Sequence, residues 1–67
     1  MTAIQLNGAP YQAAQGATLA DLVQELGLAG QAIAVAVNRS IIPREQWLAC
    51  RLQTDDQVDI VRAIGGG

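Results

Sequence analysis

The sequence has no histidine, no lysine and no phenylalanine, and it holds one cysteine, one tryptophan and one tyrosine. Without histidine, and with only Cys50 as a thiol, no His/Cys metal site can be assembled within one chain, so no metal is expected. A disulfide staple is excluded for the same reason. The four cations are all arginines, set against six acids for a net charge of −2, and they do not cluster. Phosphate backbones are gripped by several cations gathered on one face, so nucleic acid is not an expected partner. The longest apolar run is Ala32 to Val37. A membrane span needs about 20 such residues, and no basic leader precedes an apolar stretch. A soluble, cytoplasmic protein is therefore expected.

What is present is an apolar chain of small size. Hydrophobic residues make up 51% of 67 positions and charged residues 15%, a globular composition rather than a disordered one. The length fits one domain, residues 1–67, near the lower limit of what folds alone. No linker, repeat or low-complexity segment interrupts it, apart from the sequence Ala63-Ile64-Gly65-Gly66-Gly67. Residues 63–67 read as a flexible C-terminal tail. Glycine has no Cβ, so such a tail can enter a channel that other residues would block. Extended, Arg62 to Gly67 would reach roughly 20 Å. An ordinary frayed terminus reads the same way on spacing alone.

Alternation of Ile4 and Leu6 with Gln5 predicts a first strand over Thr2 to Leu6. Asn7-Gly8 is the signature of a type I′ hairpin, which needs positive φ at both positions. The returning strand, Ala9 to Gln15, carries Pro10, which cannot donate to a ladder and so belongs at a sheet edge. Thr18 caps a helix with Asp21 three residues on. Leu19, Leu22, Val23 and Leu26 then form one apolar stripe. Gly27 suits the left-handed position that ends the helix, with Leu28 folding back on Val23. Ile33, Val35 and Val37 alternate with small alanines in a third strand, read as a central one. A turn at Asn38-Arg39-Ser40 leads to a short strand, Ile41-Ile42. Pro43 is expected to open a helical turn through Leu48. After a turn at Thr54 to Gln57, Val58 to Val61 form the last strand.

The element order implies a right-handed crossover placing the third strand beside the first, in parallel, with the last strand on the first strand's other side. The expected fold class is α+β, a β-grasp (ubiquitin-like) roll. Its mixed sheet of four to five strands carries one main helix on one face.

With these residues laid out, the sequence resembles the ThiS family, sulfur carrier proteins of thiamine biosynthesis. The matching pieces are the Asn7-Gly8 hairpin, the Thr18-headed helix, Val35-Ala36-Val37-Asn38, and Ile41-Ile42-Pro43-Arg44-Glu45-Gln46-Trp47. The ending Ile64-Gly65-Gly66-Gly67 completes the likeness, which runs almost end to end. The segment Asn38 to Trp47 discriminates best, because a diglycine ending is shared by many β-grasp carriers and modifiers. A third glycine, Gly65, is a minor departure from the family's usual pair.

The resemblance implies that Gly67 is the site of adenylation and of thiocarboxylate formation, with Gly65 and Gly66 threading the tail. A ThiF-like adenylating enzyme would activate the Gly67 carboxylate with ATP, a cysteine persulfide would supply sulfur, and a ThiG-like thiazole synthase would receive it. The carrier would be a co-substrate rather than an enzyme, with no catalytic residues of its own and no bound cofactor. Ala36 and Val61, lying together on the open sheet face, would form an apolar docking patch. Arg44 is a further candidate for partner contact. The absence of lysine is best explained by codon preference, although a carrier with an activated acyl group also gains from lacking ε-amines.

Other residues invite stories that weigh less. Cys50, between Leu48, Ala49 and Leu52, reads as a small core hydrophobe. Trp47 reads as packing, and the pair Arg44 and Glu45 as solvated charge. A molybdopterin-type sulfur carrier, a ubiquitin-like modifier and an interaction module with an inert tail remain as alternatives.

Overall fold

The computed structural model describes residues 1–62. Residues 63–67, and with them the expected tail, lie outside the described residues. The chain forms β1 (Thr2–Leu6), β2 (Ala9–Ala13), α1 (Leu19–Glu25), β3 (Ile33–Val37), β4 (Ser40–Ile41), a 3-10 helix (Arg44–Ala49) and β5 (Gln57–Arg62).

β1 and β2 are joined by the two-residue turn that their sequence demands, with φ of 50° at Asn7 and 82° at Gly8. The hairpin pairs Leu6 with Ala9, Ile4 with Tyr11 and Thr2 with Ala13. β2 stops two residues short of the expected Gln15. A tight turn closes there, with the Ala17 amide on the Ala14 carbonyl at 3.0 Å and Gly16 at positive φ, and it pulls the chain off the ladder. Pro10 sits on an edge strand, where its missing N–H costs nothing.

α1 is bracketed by its caps. The Thr18 hydroxyl accepts from the Asp21 amide at 3.2 Å, and the Asp21 carboxylate accepts from the Thr18 amide at 3.0 Å. At the other end, the Gly27 and Leu28 amides bond the carbonyls of Gln24 and Val23, both at 3.0 Å. These two bonds, with Gly27 at φ 74°, are a Schellman motif. Between the caps, Leu19, Leu22 and Val23 turn inward and are buried with Ile4, Val35 and Val58 of the sheet. Each such side chain contributes about 1.5–3 kcal/mol through burial.

The sheet order is β2-β1-β5-β3-β4. This corrects the expectation that β3 lies beside β1 and parallel to it, since β5 separates the two and β3 runs antiparallel to β1. A strand has two edges, and β2 occupies one edge of β1. The remaining edge takes β5 in parallel, Leu6 opposite Val58, and β5 then takes β3 antiparallel, Val35 opposite Ile60. The crossover through α1 therefore spans a gap that the final strand fills. Otherwise the architecture is the expected β-grasp, a mixed sheet with one helix on one face.

The section between β4 and β5 closes the open flank of the core. Trp47 is buried there, its indole N–H donating to the Ile42 carbonyl at 2.9 Å. Pro43 is extended (φ −59°, ψ 147°) and precedes the 3-10 turn rather than opening it. Leu52 is buried, Cys50 is half-buried against the core, and Leu48 is 78% exposed. Cys50 thus packs against the core while its neighbour Leu48 faces solvent. Backbone bonds from Leu19 to Cys50 (2.8 Å) and from Leu52 to Ala17 (2.9 Å) tie this section to the start of α1.

Candidate functional site

β5 is the strand from which the chain continues toward Gly67, so its anchoring determines what that continuation is attached to. It lies in the middle of the sheet, and polar side chains from two turns fasten it. Asn38, held at φ 51° in the β3–β4 turn, accepts the Gln57 amide on its side-chain oxygen at 3.0 Å. Its own amide reaches the Gln57 carbonyl at 2.7 Å, and its side-chain nitrogen reaches Asp56 Oδ1 at 3.0 Å. From the other side, the Asn7 amide donates to the Val58 carbonyl at 2.9 Å, and Asn7 Oδ1 accepts the Ile60 amide at 2.8 Å. Short amides suit both tasks, because they tolerate positive φ and can bond nearby backbone. The sequence pattern marks Asn7 and Asn38 as turn residues only. Their second role depends on which strand the turn meets, and that follows from register.

On the face away from α1, Val61 is 63% exposed and sits directly opposite Ala34. One row along, Asp59 is opposite Ala36, and Ala36 is opposite Ile41 of β4. The open face therefore has an apolar end formed by Val61, Ala34, Ala36 and the exposed Ile41. Arg44 lies beside it. Its Nη2 donates to the Gln31 carbonyl at 2.6 Å, and its guanidinium covers the Trp47 ring at 4.6 Å from the centroid. Stacking and a carbonyl bond hold the cation in one place, an arrangement lysine would not reproduce. Arg44 faces these groups rather than acting as a partner of its sequence neighbour Glu45.

An open depression of about 460 Å³ is lined by Ala32, Ile33, Ala34, Arg44, Val61 and Arg62. Of the three candidate docking residues, Val61 and Arg44 come together in it. Ala36 shares the face of Val61 but is half-buried and outside that lining. Ala34, the direct neighbour of Val61, was not legible as such, although its position two residues before Ala36 puts it on the same face. Gly65, Gly66 and Gly67 lie outside the described residues.

Among the described residues two titratable groups are perturbed. Burial, and secondarily the charge of Asp56, pushes the Cys50 thiol upward. The Tyr11 hydroxyl bonds the Glu25 carboxylate, which with partial burial raises the phenol above its ordinary range. Tyr11 belongs to the edge strand β2, and β1 separates it from β5. Among the described residues no group of three or more His, Cys, Asp or Glu side chains is placed to hold a metal ion. Among them, too, no helix is long and apolar enough to cross a membrane.

Comparison with known proteins bears on the family and the fold. The sequence pattern of the ThiS family matches residues 4–67. The chain is 36% identical over 64 residues to the sulfur carrier protein ThiS of Escherichia coli, covering 96% of this chain and 97% of that one. It is 44% identical over 64 residues to a thiazole synthase of Magnetococcus marinus, covering 96% of this chain but spanning only 20% of that protein's length. Among solved structures, the thiamine biosynthesis protein ThiS of Geobacter metallireducens superposes with a TM-score of 0.83 at 25% identity, covering 98% of this chain and all of the other.

Proposed function

The chain belongs to the ThiS family, and from that premise we propose that it is a sulfur carrier that delivers sulfur to thiazole formation in thiamine biosynthesis. A carboxylate is a poor electrophile until one of its oxygens becomes part of a good leaving group. In the proposed cycle a ThiF-like enzyme joins the Gly67 carboxylate to the AMP portion of ATP, releasing pyrophosphate. The terminal sulfur of a cysteine persulfide attacks the acyl carbon and displaces AMP. Cleavage of the resulting S–S bond by a thiol leaves a thiocarboxylate on Gly67, and a ThiG-like thiazole synthase accepts that sulfur. The carrier contributes reach and docking, while the catalytic groups belong to its partners. Tethering the sulfur replaces capture of a dilute ion by delivery at high effective concentration.

One observation carries the reading. An apolar surface with a fixed cation, Val61 and Ala34 beside Arg44, adjoins the outgoing end of β5 at Arg62. A partner seated there has the chain toward Gly67 beginning at its own margin. The thiazole synthase relative, one-fifth of which matches this chain, supports an enzyme of that kind as the sulfur acceptor.

Intact mass after incubation with adenylating enzyme, ATP and a sulfur donor tests the proposal. Replacement of one oxygen by sulfur at Gly67 is expected. Attachment to other proteins would instead indicate a modifier, and an unchanged mass an inert tail. Capture of a molybdopterin synthase rather than a thiazole synthase would redirect the pathway and leave the chemistry standing.

A further inference from the structure

β1 and β5 run side by side only in part. β1 turns away at Asn7, whereas β5 continues past Val58 to Arg62. Along this outgoing half β3 holds one edge of β5 to the last residue, with Ile33 opposite Arg62. Backbone groups alternate between the two edges of a strand. The Val58 carbonyl faces β1, since it takes the Asn7 amide, so the Ile60 amide faces that side too. No residue of β1 remains there to receive it. Asn7 Oδ1 does so, at 2.8 Å, and extends the ladder by one bond beyond the end of its own strand. Past that bond lies an open groove bounded by Leu6, Asn7, Leu26, Leu28, Ile60 and Arg62.

We propose that Asn7 is a positioning residue for the carrier reaction: by holding the Ile60 amide it keeps the outgoing end of β5 in the sheet, so that Arg62 keeps one position relative to the Val61 face. The consequence for catalysis rests on the sulfur-carrier reading, whereas the anchoring does not. With the Asn7 oxygen removed, the last residues of β5 are held from the β3 side alone and can swing over the groove. Docking on Val61 then survives while delivery to the partner's reacting centre suffers. A misplacement of about 1 Å at such a centre can cost on the order of a hundredfold in rate.

Two substitutions separate this role from that of the turn. Asn7→Gly keeps the positive φ at no steric cost but removes the acceptor. Asn7→Asp keeps both the acceptor and tolerance of that conformation. Amide exchange at Ile60 is expected to quicken roughly tenfold in Asn7→Gly, the loss of one net hydrogen bond, with Val35 and Val58 amides as controls. In adenylation by the partner enzyme, Asn7→Gly should lower kcat about tenfold or more with KM within about twofold. Asn7→Asp should restore both readouts. Wild-type exchange at Ile60 in Asn7→Gly would overturn the anchoring. Equal losses in Asn7→Gly and Asn7→Asp, or a raised KM with kcat unchanged, would overturn the positioning role. A wild-type chain that is not adenylated at all would defeat the carrier reading itself and the positioning role with it, while the exchange result would still decide the anchoring.

Discussion

Replacing Val61 by aspartate sets docking against folding, because the two respond to that side chain very differently. Val61 is 63% exposed, so about a third of its burial is at stake in the folded state. Full burial of a valine is worth about 1.5–3 kcal/mol, which puts the loss below about 1 kcal/mol. Exchanging a β-branched residue for aspartate in a strand costs up to about 1 kcal/mol more. Repulsion from Asp59, two residues back on the same face, adds a smaller amount. A domain of 67 residues has about 3–10 kcal/mol to lose, so the variant stays folded. At the interface the new carboxylate must give up its water, which the neighbouring Arg44 repays only in part because it is already bonded to the Gln31 carbonyl and stacked on Trp47, or water must be left in. A central interface side chain is commonly worth about 2 kcal/mol or more, which is about thirtyfold in affinity. Pyrophosphate exchange driven by the adenylating enzyme should therefore show kcat/KM reduced at least thirtyfold, mostly in KM. The thermal transition should remain cooperative. Adenylation at the wild-type rate by folded Val61→Asp would refute the placement of the docking site.

Four further outcomes are expected. Thr18→Ala removes the α1 cap and should lower unfolding free energy by about 1 kcal/mol in a urea titration. Trp47→Phe leaves the Ile42 carbonyl without its donor, and the same titration should show a loss of about 1–3 kcal/mol. The Cys50 thiol, raised by burial and then by Asp56, should react with a disulfide reagent only at higher pH than an unfolded control. Because its folded value lies above its unfolded one, its contribution to stability is complete below the unfolded value and fades as pH rises through the folded one. Gly66→Val, which adds a side chain to the threading segment, should abolish adenylation while leaving the melting curve in place.

The local elements were legible because each is set by short-range chemistry. Asn7-Gly8 admits little besides a type I′ turn, and Thr18, Asp21, Gly27 and Leu28 state both ends of α1. What was not legible is the partnership of strands far apart in sequence. Nothing in Val58 to Val61 says that it inserts between β1 and β3, and the alternation of β3 reads the same wherever it pairs. The docking face suffered from the same gap. Alternation puts Val61 and Ala36 on the open face, but only register makes Ala34 the direct neighbour of Val61 and moves the half-buried Ala36 one row away. Arg44 could be named from its place in the Ile41 to Trp47 segment. Its fixation between the Gln31 carbonyl and the Trp47 ring needed the folded chain.

The central place of β5 also has a consequence for synthesis. β5 follows every other described element in sequence, yet it joins the β1–β2 hairpin to the β3–β4 hairpin. A nascent chain that stops before Gln57 holds two ribbons with no shared edge, and neither ribbon alone is stable in water. Closure by so distant a strand is slow compared with local pairing. The surface opposite Ala34 comes into being only when Val61 arrives. The face on which docking is proposed is therefore among the last features of the fold to form.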